Sequence, residues 1–153
     1  MAMNWLARRE HTQAELREKL AVREVEPELI ETTVEQLAAE GLVCDQRFAE
    51  SFIAVKMRRG QGPVRIRAEL KRRGVAAPLI AQHLNGTELD WGACAADVRR
   101  KKFGAEIPPD FPARARQLRF LEYRGFTAEQ IQAAMAACPG EEPEAGPGGW
   151  DFE

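Results

Sequence analysis

Apolar positions along the chain recur three and four residues apart, and strict alternation is never sustained. Ile30, Val34 and Leu37 follow an i, i+4, i+7 course, the stripe of an amphipathic helix; Leu16 with Leu20, and Ile66 with Leu70, stand four apart. Phe48, Phe52 and Ile53 fall on one side of "CDQRFAESFIAVKMRRG", and Trp91, Ala95 and Val98 on one side of "DWGACAADVRRKKFG". Punctuation frames these stripes. Asp45 and Asp90 stand where N-caps belong, Gly60 and Gly104 where helices stop. Thr12 with Glu15, and Thr127 with Gln130, read as capping boxes, in which each side chain satisfies the other's free backbone N–H. Pro27, Pro63 and Pro78 open helices at positions where a missing N–H costs nothing.

One phrase returns. "RGVAAPLI" at 73–80 and "RGFTAEQI" at 124–131 share an arginine, a glycine, a bulky apolar residue and a later isoleucine; "REVEPELI" at 23–30 is a fainter copy with Glu24 in the glycine's place. The copies start 50 and 51 residues apart, a structural period. Gly74 and Gly125 suit a left-handed helix cap, which costs glycine nothing sterically; Glu24 does not, so the first corner is predicted to turn differently. Val25, Val75 and Phe126 plug the corners, and new stripes begin at Ile30, Ile80 and Ile131. A shift of 50 places Gly62 under Thr12. The prediction is an all-α fold of three tandem three-helix repeats (2–43, 44–86 and 87–138) forming an elongated, curved helical array, without a convincing strand. Its first helix is a stub over Asn4 to Arg9, and a disordered acidic tail fills 139–153, with Trp150 and Phe152 at its end.

A chain of 153 residues can bury a core without a disulfide or metal. Cys44, Cys94 and Cys138 form no CxxC pair, and His11 and His83 have no serine, cysteine or second histidine beside them. Phosphate-cradling glycine loops are missing. These features predict no enzyme active site, cofactor or metal. The N-terminus lacks a signal-peptide core, and no stretch approaches the ~18 apolar residues of a membrane span, so a soluble cytoplasmic protein is expected.

The net charge of -2 hides a segregation. Residues 1–50 hold 6 Lys and Arg against 11 Asp and Glu, residues 51–124 hold 16 against 7, and residues 125–153 hold none against 6. A basic middle between acidic ends makes a directional field that favours an anionic partner. Seven of the eighteen residues in "RRGQGPVRIRAELKRRGV" are basic; Arg99 to Lys102 close the first helix of the next repeat, and Arg114, Arg116 and Arg119 line the helix after that. The candidate partner-binding set is Arg58, Arg59, Arg65, Arg67, Lys71, Arg72, Arg99, Arg100, Lys101, Lys102, Arg114, Arg116 and Arg119. Helix-dipole complementation explains part of each cluster, but not their confinement to the two later repeats.

"RRGQGPVRIRAELKRRGV", "DWGACAADVRRKKFG" and "RQLRFLEYRGF", with "ARREHTQAEL" and "GLVCDQRFAESF" upstream, closely resemble the bacterial regulatory family RecX, from residue 6 to about 136. The resemblance implies three-helix repeats and a monomeric negative regulator of the RecA recombinase, without catalysis of its own. Such a regulator binds in the groove of the RecA filament on single-stranded DNA, with possible contact to that strand. It limits filament growth, ATPase and strand exchange, and so modulates DNA repair and the SOS response. Two departures stand out: the first helix is short, and Cys44 occupies a position where the family often has an acidic residue. The residues by themselves leave two other readings open, a helical repeat that binds DNA directly and a plain helical scaffold.

Overall fold

The structure, a computed structural model, describes residues 1–86 and 88–136. Among the described residues there are nine helices and no strand: α1 (Ala2–Arg8), α2 (Gln13–Val22), α3 (Pro27–Ala39), α4 (Asp45–Arg58), α5 (Pro63–Arg72), α6 (Ala77–Leu84), α7 (Trp91–Phe103), α8 (Phe111–Arg124) and α9 (Ala128–Ala136). The all-α class is as predicted; the acidic tail with Trp150 and Phe152 lies outside the described residues. Two compact units form, one from Met1–Phe52 with Glu69–His83, the other from Ile53–Ala68 with the described residues from Leu84 onward. No described helix is long and apolar enough to cross a membrane.

The predicted stripes make the cores. In the first unit Leu16, Leu20, Ile30, Val34, Leu37 and Val43 pack together, with Trp5, Leu6 and Val25 against them. In the second, α7 lies along α9 and α8 packs on both, burying Val98, Leu121, Ile131 and Ala134. Each such aliphatic side chain removed from water contributes roughly 1.5–3 kcal/mol. Trp91, at the start of α7, is buried and donates its indole N–H to the Leu84 carbonyl at 3.1 Å, fixing where α6 hands over to α7.

All three corners turn alike, contrary to the expectation for the first. Glu24 adopts φ 60, the left-handed region that Gly74 (φ 84) and Gly125 (φ 97) occupy. The N–H groups of Glu24, Gly74 and Gly125 donate to the carbonyls of Ala21, Lys71 and Glu122 at 3.0–3.1 Å. Those of Val25, Val75 and Phe126 reach back to Leu20, Leu70 and Leu121 at 3.1–3.2 Å. This paired bond, with an apolar plug behind it, satisfies helix-end carbonyls at every corner and outweighs the strain at Glu24.

The corners of the second and third repeats also receive a helix. Thr12, fully buried, accepts the Glu15 N–H at 3.0 Å as the N-cap of α2, and its hydroxyl donates to the Arg73 carbonyl at 2.6 Å. At the equivalent joint in the second unit the backbone takes over: the Gly62 N–H donates to the Arg124 carbonyl at 2.8 Å and the Val64 N–H to the Gly125 carbonyl at 2.9 Å. A Cβ on Gly62 would lie 2.5 Å from the Gly125 carbonyl, and one on Gly125 2.5 Å from the Arg65 Cβ. Glycine is therefore needed on both sides of that contact.

The first joint carries charge as well. Glu15 does not return to the Thr12 N–H as its capping box predicts; its carboxylate bridges Arg9 at 3.1 Å and Arg73 at 2.9 Å. Asp45 likewise is not the cap of its own helix: it is the first residue of α4, and its carboxylate accepts the Gln13 N–H at 2.9 Å, so it caps α2. The Thr127–Gln130 box does close reciprocally, at 2.9 and 3.2 Å. His11, buried, has Nδ1 3.0 Å from the Arg9 carbonyl and Nε2 3.0 Å from the Lys19 ammonium. A ring that donates to the carbonyl and accepts from the ammonium is neutral.

Two predictions follow from the corners and the joint. Glu24→Gly raises unfolding free energy in urea by about 1 kcal/mol, whereas Gly125→Ala lowers it by at least about 2 kcal/mol, because left-handed strain adds to the contact with Arg65. The second concerns pH. Burial and the Arg9 charge pull the His11 pKa below its ordinary 6.5, so the stability of its neutral form is fully present above 6.5 and is lost as pH falls through the lowered value. Burial alone would raise the Glu15 pKa, but Arg73 and Arg9 outweigh it and hold it below 4.5, so a second loss sets in below that pH. Urea titrations from neutral to about pH 3 should show both losses, with the upper one absent in His11→Gln.

Candidate functional site

Some of the candidate cations stand at helix ends and others along helix faces. Arg58 and Arg59 terminate α4, Lys71 and Arg72 terminate α5, and all four are exposed. Arg67, exposed on α5, donates to the Asn85 side-chain oxygen at 3.3 Å. Lys71 and Arg72 belong to the first compact unit and the remaining candidates to the second. Among the described residues Arg58, Arg59, Lys71, Arg72, Arg114, Arg116 and Arg119 form no ion pair. By contrast Lys101 bridges Asp97 at 3.2 Å, and Arg100 is only partly exposed.

On α8, Arg116, Arg119 and Tyr123 are spaced three and four residues apart and share an exposed face. Arg114 and Leu118 fall on the other flank of the helix. Tyr123 is 78% exposed, and the Arg65 guanidinium stands 5.7 Å from its ring centroid. Beside it, Phe120 has two cations near its ring centroid, Arg124 at 5.3 Å and Lys102 at 5.9 Å, and meets Phe103 edge-on at 5.2 Å. Arg124 also donates to the Arg59 carbonyl at 3.4 Å. The Gly62 and Val64 joint thus brings Arg59, Arg65, Arg124 and Tyr123 into one neighbourhood. Tyr123, Phe120 and Arg124 were not among the sequence candidates; the available signal was an aromatic recurring between arginines at helical spacing in "RQLRFLEYRGF".

Arg99 does not belong on that surface. It is 2% exposed, and its guanidinium donates to the carbonyls of Gly104, Ala105 and Glu106 at 3.2–3.4 Å and to Gln117 Oε1 at 3.5 Å. Burial, and then the neighbouring Arg100 charge, work against the charged form, while the fork of donors against three carbonyls holds it in place. Arg99 staples the segment between α7 and α8. Arg73, in the same basic run as Lys71 and Arg72, is also committed internally, between Glu15 and the Phe52 ring at 5.3 Å.

Other chemistry is sparse. Burial, with Asp90 and Asp97 adding to it, pushes the Cys94 thiol up to about 11, so it is not a thiolate at neutral pH. His83 Nδ1 lies 4.0 Å from a Glu50 oxygen. No group of three potential metal ligands occurs among the described residues. An open groove of about 410 Å³ runs beside Trp5, Lys19 and Val22, with the Lys19 ammonium 5.2 Å from the indole centroid.

Helices grouped in threes, each corner closed by the same left-handed turn, define a tandem three-helix repeat protein with exposed cations at helix ends and along α5 and α8. Residues 1–37 match the first three-helix domain of RecX, residues 45–84 the second and residues 93–135 the third. The chain belongs to the RecX family. It is 49% identical over 148 residues to the regulatory protein RecX of Halorhodospira halophila, covering 97% of this chain and 91% of that one. It is 44% identical over 135 residues to the RecX of Pseudomonas fluorescens, covering 88% and 87%. The fold is similar to the crystal structure of RecX from Lactobacillus salivarius, with a TM-score of 0.72 at 21% identity over 88% of this chain and 89% of that one.

If Arg99 is a staple, Arg99→Met lowers unfolding free energy by about 1–3 kcal/mol, because three carbonyls and Gln117 lose a charged donor. Arg99→Lys does not restore it, since one ammonium does not span three carbonyls. Urea denaturation monitored by circular dichroism checks both.

Proposed function

We propose that this chain is a negative regulator of the RecA recombinase, binding the RecA filament on single-stranded DNA and limiting its growth, ATPase and strand exchange. In that role it works in the cytoplasm as a monomer, modulates DNA repair and the SOS response, and turns over no substrate. Membership of a regulatory family supports the reading. The observation that carries it is the set of exposed cations on α4, α5 and α8 that, among the described residues, form no ion pair with a carboxylate. Unpaired, fully solvated charge adds little to folding, so its natural use is attraction of an anionic surface, phosphate or acidic protein. The binding set is Arg58, Arg59, Arg65, Arg67, Lys71, Arg72, Arg100, Lys101, Lys102, Arg114, Arg116 and Arg119; Arg99, buried, is left out.

The test is the DNA-dependent ATPase of a recombinase filament titrated with this protein. Reversing Arg67, Arg116 and Arg119 to Glu should raise the concentration needed for half-inhibition by about tenfold or more, given roughly 0.5–1 kcal/mol for each exposed charge contact. Helicity and the denaturation midpoint should not change, because these side chains are exposed. Undiminished inhibition by the folded triple variant would refute the assignment.

A further inference from the structure

Tyr123 presents an anomaly that charge does not explain. Tyr123 is 78% exposed and contributes little to a core, yet it stands at the end of a helix that a backbone joint fixes in place. Its helix ends in the corner that receives α5, where the Gly62 and Val64 N–H groups are bonded to the Arg124 and Gly125 carbonyls. The same joint sets the Arg65 guanidinium 5.7 Å from the ring centroid. The ring is thereby backed by a cation while 78% of the residue stays exposed. Arg119 and Arg116 follow on the same exposed face, about 6 and 10 Å back along the helix axis. Of the exposed residues on α8 only Glu122 is acidic.

From this geometry we infer that Tyr123 is a stacking platform for an unpaired nucleobase, with Arg65 beneath it and Arg119 and Arg116 holding phosphates of the same single strand. The inference rests on the filament reading only in supplying a setting where single strands are present; the site is a property of the second compact unit. An aromatic ring combined with guanidinium groups is the arrangement by which proteins hold single strands without reading sequence, the ring taking any base and the cations tracking the backbone. A protein partner would more naturally be met by a mixed-charge face, whereas Tyr123, Arg65, Arg119 and Arg116 each seek an anion or a π surface, against the single carboxylate of Glu122. The aromatic step also has a cost advantage: a tyrosine has only two side-chain torsions to fix, so little entropy is lost on binding.

The experiment uses the full chain and a short oligothymidylate carrying one 2-aminopurine, whose fluorescence is quenched by stacking on an aromatic ring. An abasic strand of equal phosphate count serves as the second probe. The unsubstituted protein should quench the reporter and prefer the base-containing strand. Tyr123→Ser should abolish that quenching and preference and lower affinity by about tenfold, while Tyr123→Phe, which keeps the ring, behaves as the unsubstituted protein does. Arg116→Ala with Arg119→Ala should weaken both strands equally and reduce the salt slope by about 1.4. Quenching and affinity unchanged in Tyr123→Ser would overturn the assignment. If filament ATPase inhibition fell in that same variant, the ring would face the recombinase protein and the filament reading would stand without the strand site. Base-dependent binding that is lost in Tyr123→Ser, in a protein that never inhibits the filament, would instead leave the strand site standing and remove the filament reading.

Discussion

The structure depends on the docking of a helix N-terminus onto the left-handed corner of the following repeat. A helix start exposes N–H groups with no partner in their own helix, and a corner exposes carbonyls in the same condition. Pressing one onto the other satisfies both without water and lets the apolar stripes behind them close into a core. The two joints meet this demand with different chemistry. Thr12 supplies a hydroxyl to the Arg73 carbonyl, with Glu15 held between Arg9 and Arg73. Gly62 and Val64 supply backbone N–H groups directly, which is possible only because Gly62 and Gly125 lack side chains where the two backbones meet.

Much of this was legible in the sequence, and the exceptions share a cause. The stripes through Ile30, Val34 and Leu37, the corner plugs Val75 and Phe126, and the Thr127–Gln130 box are local patterns, and their residues are buried or bonded as the spacing predicts. At Glu24 residue propensity argues against a left-handed turn, while the bonds to Leu20 and Ala21 and the plug Val25 impose one. Asp45 and Glu15 sit at positions that suggest caps for their own helices, but each serves a residue more distant in the chain, Gln13 in one case and Arg73 in the other. Long-range partners leave no local signal.

The same limit governed the candidate surface. Arg99 to Lys102 look like one solvated run, yet the helix turns Arg99 inward onto three carbonyls, sets Lys101 beside Asp97 and lays Lys102 over Phe120. Arg116 and Arg119 do stand exposed on one face, as three-residue spacing requires. Tyr123 was invisible as a candidate because a single tyrosine in an amphipathic helix is ordinarily part of its apolar stripe. Basic residues in this family member therefore divide into those that hold the repeats and those that stand exposed, and the division follows from which carbonyls and carboxylates the joints bring near.

The docked helix start is tested most directly by native-state amide hydrogen exchange, read at Gly62 and Val64. Amides in the first turn of a helix ordinarily exchange rapidly, because they have no intrahelical acceptor. The joint predicts that these two are protected to within about 1 kcal/mol of Val98 and Leu121 in the core, since their bonds break only when the unit opens. Exchange at Gly62 and Val64 close to the rate of unprotected amides would contradict it.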